Sequence, residues 1–267
     1  MAFARMERGA WTDPGVARAY EELFRPMVEG AIEPLLDAVQ VRAGVQLLDL
    51  ACGPGRVGAR AAQRGAEVTY LDFSRPMLER ARHRNPAGRF LGASAERLPL
   101  RSGSVGAAVC NFGLLHLPEP DRALREVARV LAPGGWCAWS VWAADAEAMQ
   151  IVPATLRDLH LTPRLPEGPP FFRFGDPTEF SRSLAEAGLQ STTARASHWI
   201  AQLSGPDQFI RMFEDGSART RASLQALSEA ERERVRAAIR ERLEKYRVRD
   251  HLDLPTGAVI GVGQRPV

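Results

Sequence analysis

The stretch Val45-Gln-Leu-Leu-Asp49-Leu-Ala51-Cys-Gly53-Pro-Gly55 joins an apolar run, an acidic residue and a glycine-rich segment. The apolar run predicts a strand, and the glycines predict a turn at which backbone and ligand can approach closely before a helix begins near Arg56. Asp72 lies nineteen residues after Gly53, at the end of the next apolar run. An acid there is the expected partner of a ribose diol in a nucleotide-binding βαβ unit.

The same alternation of apolar runs and amphipathic stretches continues on both sides of this segment and predicts a doubly wound α/β fold with a mostly parallel sheet. Capping residues predict where helices begin, at Asp13, Ser74, Asp176 and Ser228, and a further helix runs from Pro120 to about Leu131. The predicted strands lie near residues 45–50, 67–72, 88–92, 105–110, 135–142, 190–197 and 257–264.

Changes in this pattern predict four segments. Proline-rich sequence after Trp142 indicates a long, partly helical connection, and connections of that length often serve as lids. The segments are an N-terminal helical lid at 1–43, an α/β core at 44–142, an insertion at 143–175, and the remainder of the core at 176–267 with a lid insertion at about 199–255.

Composition narrows the class of protein. The 267 residues are 45% hydrophobic and 25% charged, with a net charge of +3, as in ordinary globular chains. Of the 35 basic residues only Lys245 is a lysine, and the arginines are scattered among glutamates, so a nucleic-acid partner is not expected. Three cysteines without a CxxC pair predict neither a disulfide framework nor a metal site. No apolar run approaches the roughly 18 residues needed to cross a bilayer, and the amino terminus has no leader-like apolar segment, so we expect no membrane partner and a cytoplasmic location.

Two cofactor classes compete for the glycine-rich turn, because Gly53-Pro-Gly55-Arg-Val-Gly58 also matches the dinucleotide fingerprint G-x-G-x-x-G. Asp49 lies just before the turn, where a pyrophosphate would meet an uncompensated carboxylate. Two like charges about 4 Å apart repel by about 4 kcal/mol at an effective dielectric near 20. S-adenosylmethionine has no phosphate and carries an ammonium and a sulfonium, so the charge favours it. A nicotinamide-dependent oxidoreductase stays as an alternative.

Four motifs in order carry a resemblance to a known family: Leu47–Gly55, Tyr70–Leu78, Gly92–Leu100 and Arg125–Gly135. On these motifs the chain resembles the class I S-adenosylmethionine-dependent methyltransferases, and is similar to the ubiquinone/menaquinone-biosynthesis C-methyltransferase type. The resemblance is close over roughly residues 40–142 and loose elsewhere. It implies seven strands, the last of them antiparallel.

The resemblance also implies a set of cofactor-binding residues. The first motif would hold the methionine end, Asp72 the ribose, and the second and third motifs the adenine, while the backbone after the fourth strand would hold the amine. Ala51 replaces the usual first glycine, and Ser94 replaces the usual acid near the adenine. The residues are Tyr20, Asp49, Ala51, Gly53, Gly55, Asp72, Phe73, Met77, Ser94, Ala95, Glu96 and Asn111.

The acceptor side carries weaker signals. His116 follows a central strand and is the candidate base for methyl transfer to a small molecule at O, N or C; His198 and His251 are further candidate pocket groups. Aromatic residues in the lid segments predict an apolar or aromatic acceptor: Phe171, Phe172, Phe174 and Trp199. The segment Asn111-Phe112-Gly113 lacks the Asn/Asp-Pro-Pro-Tyr signature of amino-group methylation of nucleic acids. A nucleic-acid or protein methyltransferase, and a protein of this fold that binds the cofactor without methyl transfer, remain alternatives.

Overall fold

The computed structural model describes residues 2–267, which form twelve α-helices and eight strands. The helices are α1 Ala2–Trp11, α2 Pro14–Leu23, α3 Arg25–Val28, α4 Ile32–Ala38, α5 Arg56–Gln63, α6 Arg75–Arg84, α7 Pro120–Val130, α8 Glu147–Asp158, α9 Pro177–Glu186, α10 Pro206–Asp215, α11 Arg219–Gln225 and α12 Glu229–Leu243. The strands are β1 Gln46–Leu50, β2 Glu67–Asp72, β3 Arg89–Gly92, β4 Val105–Asn111, β5 Leu131–Trp142, β6 Gln190–Leu203, β7 Arg247–Val248 and β8 His251–Gln264.

The strands form one sheet in the order β3-β2-β1-β4-β5-β8-β6, with the short β7 paired to β8. The pairs from β3 to β5 are parallel, and β8 runs antiparallel to β5. The predicted doubly wound, mostly parallel sheet with an antiparallel last strand is therefore confirmed. Successive strands are added on one side of β1 up to β3 and on its other side from β4 onward, so the strand order reverses between β1 and β4. In open α/β sheets ligands bind at the carboxyl ends of strands beside such a point.

The chain divides into two compact units. The unit that we call the sheet unit comprises Gly30–Ala144, Pro169–Ser197 and Ala258–Val267. The unit that we call the helical unit comprises Met1–Glu29, Asp145–Gly168 and His198–Gly257. The predicted division of the chain into lid and core segments, at 1–43, 44–142, 143–175 and 176–267, stays a prediction.

The core of the sheet unit covers both faces of its central strands. Four consecutive residues of β1, from Leu47 to Leu50, are at most 1% exposed. A strand in which every side chain is buried is typical of a parallel sheet with helices on both faces. Helices α5 and α6 pack on β2, and α4 and α7 pack on β5. The apolar run before the glycine-rich turn is thus fixed by burial on both sides.

In the helical unit, α2 packs against α10, and α10 also contacts α11 and α12. The buried Glu7 accepts hydrogen bonds from the indole of Trp11 and from Arg219, each at 3.0 Å, and so joins α1 to α11. Tyr20 lies in a chain of aromatic rings, with its centroid 5.4 Å from that of Trp11 and 5.2 Å from that of Phe24.

The predicted helix caps are present: side-chain oxygens of Asp13, Ser74, Asp176 and Ser228 accept the amides of α2, α6, α9 and α12. Three strand boundaries were wrong. β6 extends to Leu203 and not only to about 197, and β8 begins at His251 and not near 257, so both strands run into the segment predicted as a lid insertion at about 199–255. The third is the start of β5. β5 begins at Leu131, so the segment 133–135 lies inside the strand and not before it. The positive φ of Gly134 and the hydrogen bonds between Gly134, Gly135 and Arg265 let this irregular stretch pair with the end of the chain.

We predict that Gly58→Ala lowers the free energy of unfolding by about 1–3 kcal/mol, the usual cost of overfilling a packed site. A Cβ at Gly58 would lie 2.2 Å from Cε1 of Tyr70 and 2.9 Å from Oδ2 of Asp49. The matched control is Gly106→Ala, whose Cβ would meet its nearest atom at 3.5 Å. Denaturation in urea measures both variants, and equal stabilities would contradict the packing argument.

Candidate functional site

The candidate site begins with the turn that follows β1. Ala51, Gly53 and Gly55 have φ values of 48°, 51° and 75°, in the left-handed region. Glycine adopts this region freely, whereas alanine pays about 1–2 kcal/mol there. Gly55 is the N-cap residue of α5, so the first turn of a helix follows the glycine-rich turn directly. The predicted strand, glycine-rich turn and helix are confirmed, and Ala51 holds a conformation that favours the glycine usual at its position.

Three contacts hold this turn against the neighbouring elements. The Gly53 amide donates to Oδ2 of Asp72 at 2.9 Å, and the guanidinium of Arg84 donates to the carbonyl of Pro54 at 3.0 Å. Gly55 faces α6 so closely that a Cβ there would lie 2.8 Å from that of Ala81. The turn therefore has a fixed shape that depends on β2 and α6.

Asp49 lies beneath the turn and is 1% exposed. Its Oδ2 accepts the amide of Gly58 at 2.8 Å. Burial raises the pKa of Asp49 to about 8, against the opposing effect of that hydrogen bond, and the nearby Asp72 raises the pKa further. At neutral pH the carboxyl is mostly protonated unless a cation lies beside it. A protonated Asp49 would not repel a pyrophosphate as its charged form would, and the geometry gives Asp49 the role of holding the first turn of α5.

Asp72 ends β2 and is 6% exposed. Its two oxygens accept the amides of Gly53 at 2.9 Å and Ser74 at 2.8 Å. Burial raises its pKa to about 6, while hydrogen bonds from backbone amides and the charge of His116 act in the opposite direction. The group is therefore mostly ionised at neutral pH. An ionised carboxylate has about four acceptor positions, so it can also accept a hydroxyl.

The second group of predicted residues lies beside Asp72. Phe73 follows it directly, and Met77, 3% exposed, lies in the first turn of α6 with its amide bonded to the hydroxyl of Ser74. The amide of Ala93 donates to the carbonyl of Asp72 at 3.1 Å, which brings the segment after β3 to the same edge. The neighbouring Ala95 is 4% exposed.

Ser94 and Glu96 are already engaged within their own loop. The Ser94 hydroxyl donates to Glu96 at 3.1 Å and accepts the Glu96 amide at 3.2 Å. The other carboxylate oxygen of Glu96 accepts the amide of Glu119, the residue before α7, at 2.6 Å. These bonds fix the loop, and one lone pair of the Ser94 hydroxyl is left for a ligand.

Asn111 and His116 lie after β4, the strand next to β1. Oδ1 of Asn111 accepts the hydroxyl of Ser140 at 2.6 Å. Phe112 has a φ of 56°, and its ring stacks on Trp142 with centroids 4.0 Å apart. His116 ends the short 3-10 turn that follows and is half-buried. The structure thus places Asn111 and His116 at the carboxyl edge that carries the glycine-rich turn.

The other predicted residues are distributed differently. Four of them belong to the helical unit: Tyr20, His198, Trp199 and His251. There, His198 contacts Asp145 at 3.2 Å, and the Trp199 indole donates to the Pro26 carbonyl at 3.2 Å. His251 lies 3.1 Å from Asp253. In the sheet unit, Phe174 is buried against Phe180, and the rings of Phe171 and Phe172 meet edge to face. Their roles in cofactor or acceptor binding stay predictions.

Ser140 is the residue of this region that sequence reasoning missed. It is fully buried in β5, between Trp139 and Val141, and contacts both Asn111 and Phe112. A hydroxyl inside an apolar strand gives a weak signal in the sequence. The usable signal is that a buried hydroxyl requires hydrogen-bond partners, which have to come from a neighbouring strand.

Residues 2–267 contain no group of three or more His, Cys, Asp or Glu side chains that could hold a metal ion. Within the same range, no helix combines the length and the apolar composition needed to cross a bilayer. The three cysteines are buried thiols.

The chain is similar in sequence to a family model and to several known proteins. A family model described as a methyltransferase domain matches residues 48–139. A demethylmenaquinone methyltransferase of Paenarthrobacter aurescens is 39% identical over 101 residues, which cover 38% of this chain and 40% of that protein. The match thus spans about two fifths of that relative's length.

A longer match is to an uncharacterised protein of Mycobacterium bovis, 34% identical over 217 residues that cover 79% of this chain and 77% of that protein. Among solved structures, phosphoethanolamine N-methyltransferase 2 of Haemonchus contortus in complex with S-adenosyl-L-methionine has a TM-score of 0.60 at 14% identity. That similarity covers 100% of this chain and 60% of the other, and at such identity it concerns the fold alone.

We predict that Asp49→Asn makes stability less dependent on pH. A carboxyl with a pKa near 4 in the unfolded chain and about 8 in the folded one stabilises the protein fully below pH 4. That contribution is lost as the pH rises towards 8, by at most about 1.4 kcal/mol per pH unit. Asparagine has no titrating proton and keeps an oxygen for the Gly58 amide, so the variant gains on the wild type between pH 5 and 8.

Urea denaturation at pH 5, 6.5 and 8 measures this difference. The control is Asp37→Asn, an acid on α4 whose side chain is 68% exposed. Parallel pH profiles for wild type and Asp49→Asn would show that the buried carboxyl does not titrate as described.

Proposed function

Because the chain belongs to the class I S-adenosylmethionine-dependent methyltransferases, we propose that it transfers a methyl group from S-adenosylmethionine to a small-molecule acceptor at O, N or C. The observation that carries the proposal is the hydrogen bond between the Gly53 amide and Asp72, which holds the glycine-rich turn beside an ionised carboxylate. The name of the demethylmenaquinone methyltransferase relative supports a small molecule as the acceptor class.

The chemistry of the donors and acceptors fits this cofactor. Asp72 keeps acceptor capacity for a ribose hydroxyl, and the left-handed turn lies beside that carboxylate because the Gly53 amide is bonded to it. Glycine at 53 leaves room for a ligand to approach the backbone, and glycine at 55 lets the turn pack against Ala81 of α6. No phosphate-binding side chain is needed for a nucleoside without phosphate.

In the proposed site, different segments of the α/β core bind different parts of the cofactor. Asp72 binds the ribose. The glycine-rich turn and the segment after β4 bind the methionine end, and Asp49 supports that turn from beneath. The side chains around the adenine are those of β2, α6 and the segment after β3. Those residues are, for the methionine end, Asp49, Ala51, Gly53, Gly55 and Asn111, and, for the adenine, Phe73, Met77, Ser94, Ala95 and Glu96.

The chain's own contribution to methyl transfer is alignment, exclusion of water and acceptance of a proton. When bound, S-adenosylmethionine supplies a methyl group on a positively charged sulfur. His116 follows the central strand β4 and is the group proposed to accept the proton of an acceptor hydroxyl or amine. Holding the two reactants in line supplies the larger part of the rate.

The proposed acceptor is apolar or aromatic, because Phe171, Phe172 and Phe174 lie within four positions of one another in the insertion at 143–175. We also propose a cytoplasmic location: the three cysteines are unbridged, as expected in a reducing compartment.

Labelled methyl groups test the function directly. The purified protein is incubated with S-adenosylmethionine labelled on its methyl group and with extracts separated into small molecules, nucleic acid and protein. We expect label in the small-molecule fraction. Label in nucleic acid or protein would overturn the acceptor class, and a rise in melting temperature with a dinucleotide but not with S-adenosylhomocysteine would overturn the function.

We predict that Asp72→Ala weakens the binding of S-adenosylhomocysteine by about 1–3 kcal/mol, or roughly 5- to 150-fold in Kd, through loss of charge-assisted hydrogen bonds. Isothermal titration calorimetry measures the change. Asp37→Ala, which removes an exposed acid of the same unit, is expected to bind like the wild type. Unchanged binding by Asp72→Ala would remove this residue from the site.

A further inference from the structure

The turn after β4 has an unusual backbone that its neighbours keep in place. Phe112 is a bulky residue with a φ of 56°, a conformation that L-residues with large side chains rarely adopt. Gly113 follows it so close to the turn after β1 that a Cβ would lie 2.6 Å from that of Ala51 and 2.8 Å from Sγ of Cys110. Ala51 itself has a φ of 48°. The exits of β1 and β4 therefore meet as two strained turns in contact.

Ser140 supplies the polar contacts that hold the β4 exit. It pairs with Asn111 across β4 and β5, and its carbonyl accepts the Phe112 amide at 3.1 Å. Its hydroxyl accepts the same amide at 3.0 Å and donates to Oδ1 of Asn111 at 2.6 Å. One fully buried hydroxyl thus joins the side chain of Asn111 to the backbone of Phe112.

An apolar contact completes the arrangement. The Phe112 ring lies on Trp142, two residues beyond Ser140 in β5, with 25° between the ring planes. Side chains at i and i+2 of a strand point to the same face, so Ser140 and Trp142 act on the β4 exit from one side. The stack fixes where the Phe112 ring lies, and the hydroxyl fixes the amide and the Asn111 side chain. A strained conformation persists only when its surroundings determine it in this way.

We propose that Ser140 is a positioning residue for the amino-acid end of the cofactor. Its hydroxyl sets the orientation of Asn111 and the left-handed turn at Phe112, and through them the shape of the backbone that faces the glycine-rich turn. The inference rests on the proposed function, in which the segment after β4 binds the methionine end. Ser140 itself does not touch the cofactor.

Two ligands separate this role from general support of the fold. S-adenosylhomocysteine carries the amino-acid end, whereas 5′-methylthioadenosine has the same adenosine part without it. In Ser140→Ala we expect the Kd for S-adenosylhomocysteine to rise about 3- to 10-fold, the effect of losing one or two hydrogen bonds. The Kd for 5′-methylthioadenosine is expected to change less than about twofold, because the Asp72 side is untouched.

The control is Ser183→Ala, which removes a buried hydroxyl from α9 of the same unit and is expected to bind both ligands like the wild type. Asn111→Ala tests the same link from the other partner and is used if Ser140→Ala does not fold. It is expected to show the same selective loss. Calorimetry gives each Kd, and thermal unfolding shows whether each variant is folded.

The outcomes are distinct. Selective loss of S-adenosylhomocysteine supports the inference. Equal loss of both ligands, or no loss of either, overturns it while leaving the proposed function standing if the wild type binds S-adenosylhomocysteine. A wild type that binds neither ligand overturns the proposed function and the inference together.

Discussion

The hydrogen bond from the Gly53 amide to Asp72 connects the two halves of the candidate site. It joins the turn after β1 to the end of β2, two strands that are neighbours in the sheet, and it uses an oxygen of the carboxylate proposed to bind a ribose. The turn cannot change shape without disturbing the acid, and the acid cannot turn away without releasing the turn. Because the strands beneath are buried on both faces, the bond is made between rigid elements, which is the arrangement that keeps a binding site in one geometry.

Two buried acids lie close together in this site, and their environments separate them. Burial raises the pKa of both, to about 8 for Asp49 and about 6 for Asp72. Asp72 accepts hydrogen bonds from the amides of Gly53 and Ser74, whereas Asp49 accepts, among the described residues, only that of Gly58, so Asp72 stays ionised at neutral pH while Asp49 is mostly protonated. One acid then carries the charge that a ligand can use, and the other serves as a hydrogen-bond acceptor for the first turn of α5. A ligand cation beside Asp49 would change that division, since an opposite charge lowers the pKa of a carboxyl.

Local sequence predicted those parts of the fold and site that depend on short-range chemistry. The segment Leu47–Gly55 predicts the apolar strand, the left-handed turn and the start of the helix after it. Each of these depends on residues within about ten positions: apolar side chains for the strand, glycines for the turn, and unpaired amides for the start of the helix. The position of Asp72 at the end of β2 was predicted from its spacing and from the apolar run before it, and its role in binding a ribose stays a prediction. The protonation of Asp49 could not be predicted, since it depends on how completely helices packed on both faces exclude water. Ser140 could not be predicted either, because its partners are 28 and 29 residues away and only the register of β4 with β5 brings them together.

The strain in the site is localised in a way that bears on its function. Ala51 and Phe112, both non-glycine residues with positive φ, end adjacent strands and lie on either side of the point where the strand order reverses. Each costs about 1–3 kcal/mol relative to relaxed backbone, and neither would persist in an isolated loop. Hydrogen bonds to β2 and β5, together with the stack of Phe112 on Trp142, offset that cost. The backbone groups at this edge are therefore held in place before any ligand arrives, so binding does not have to supply the free energy that orders them.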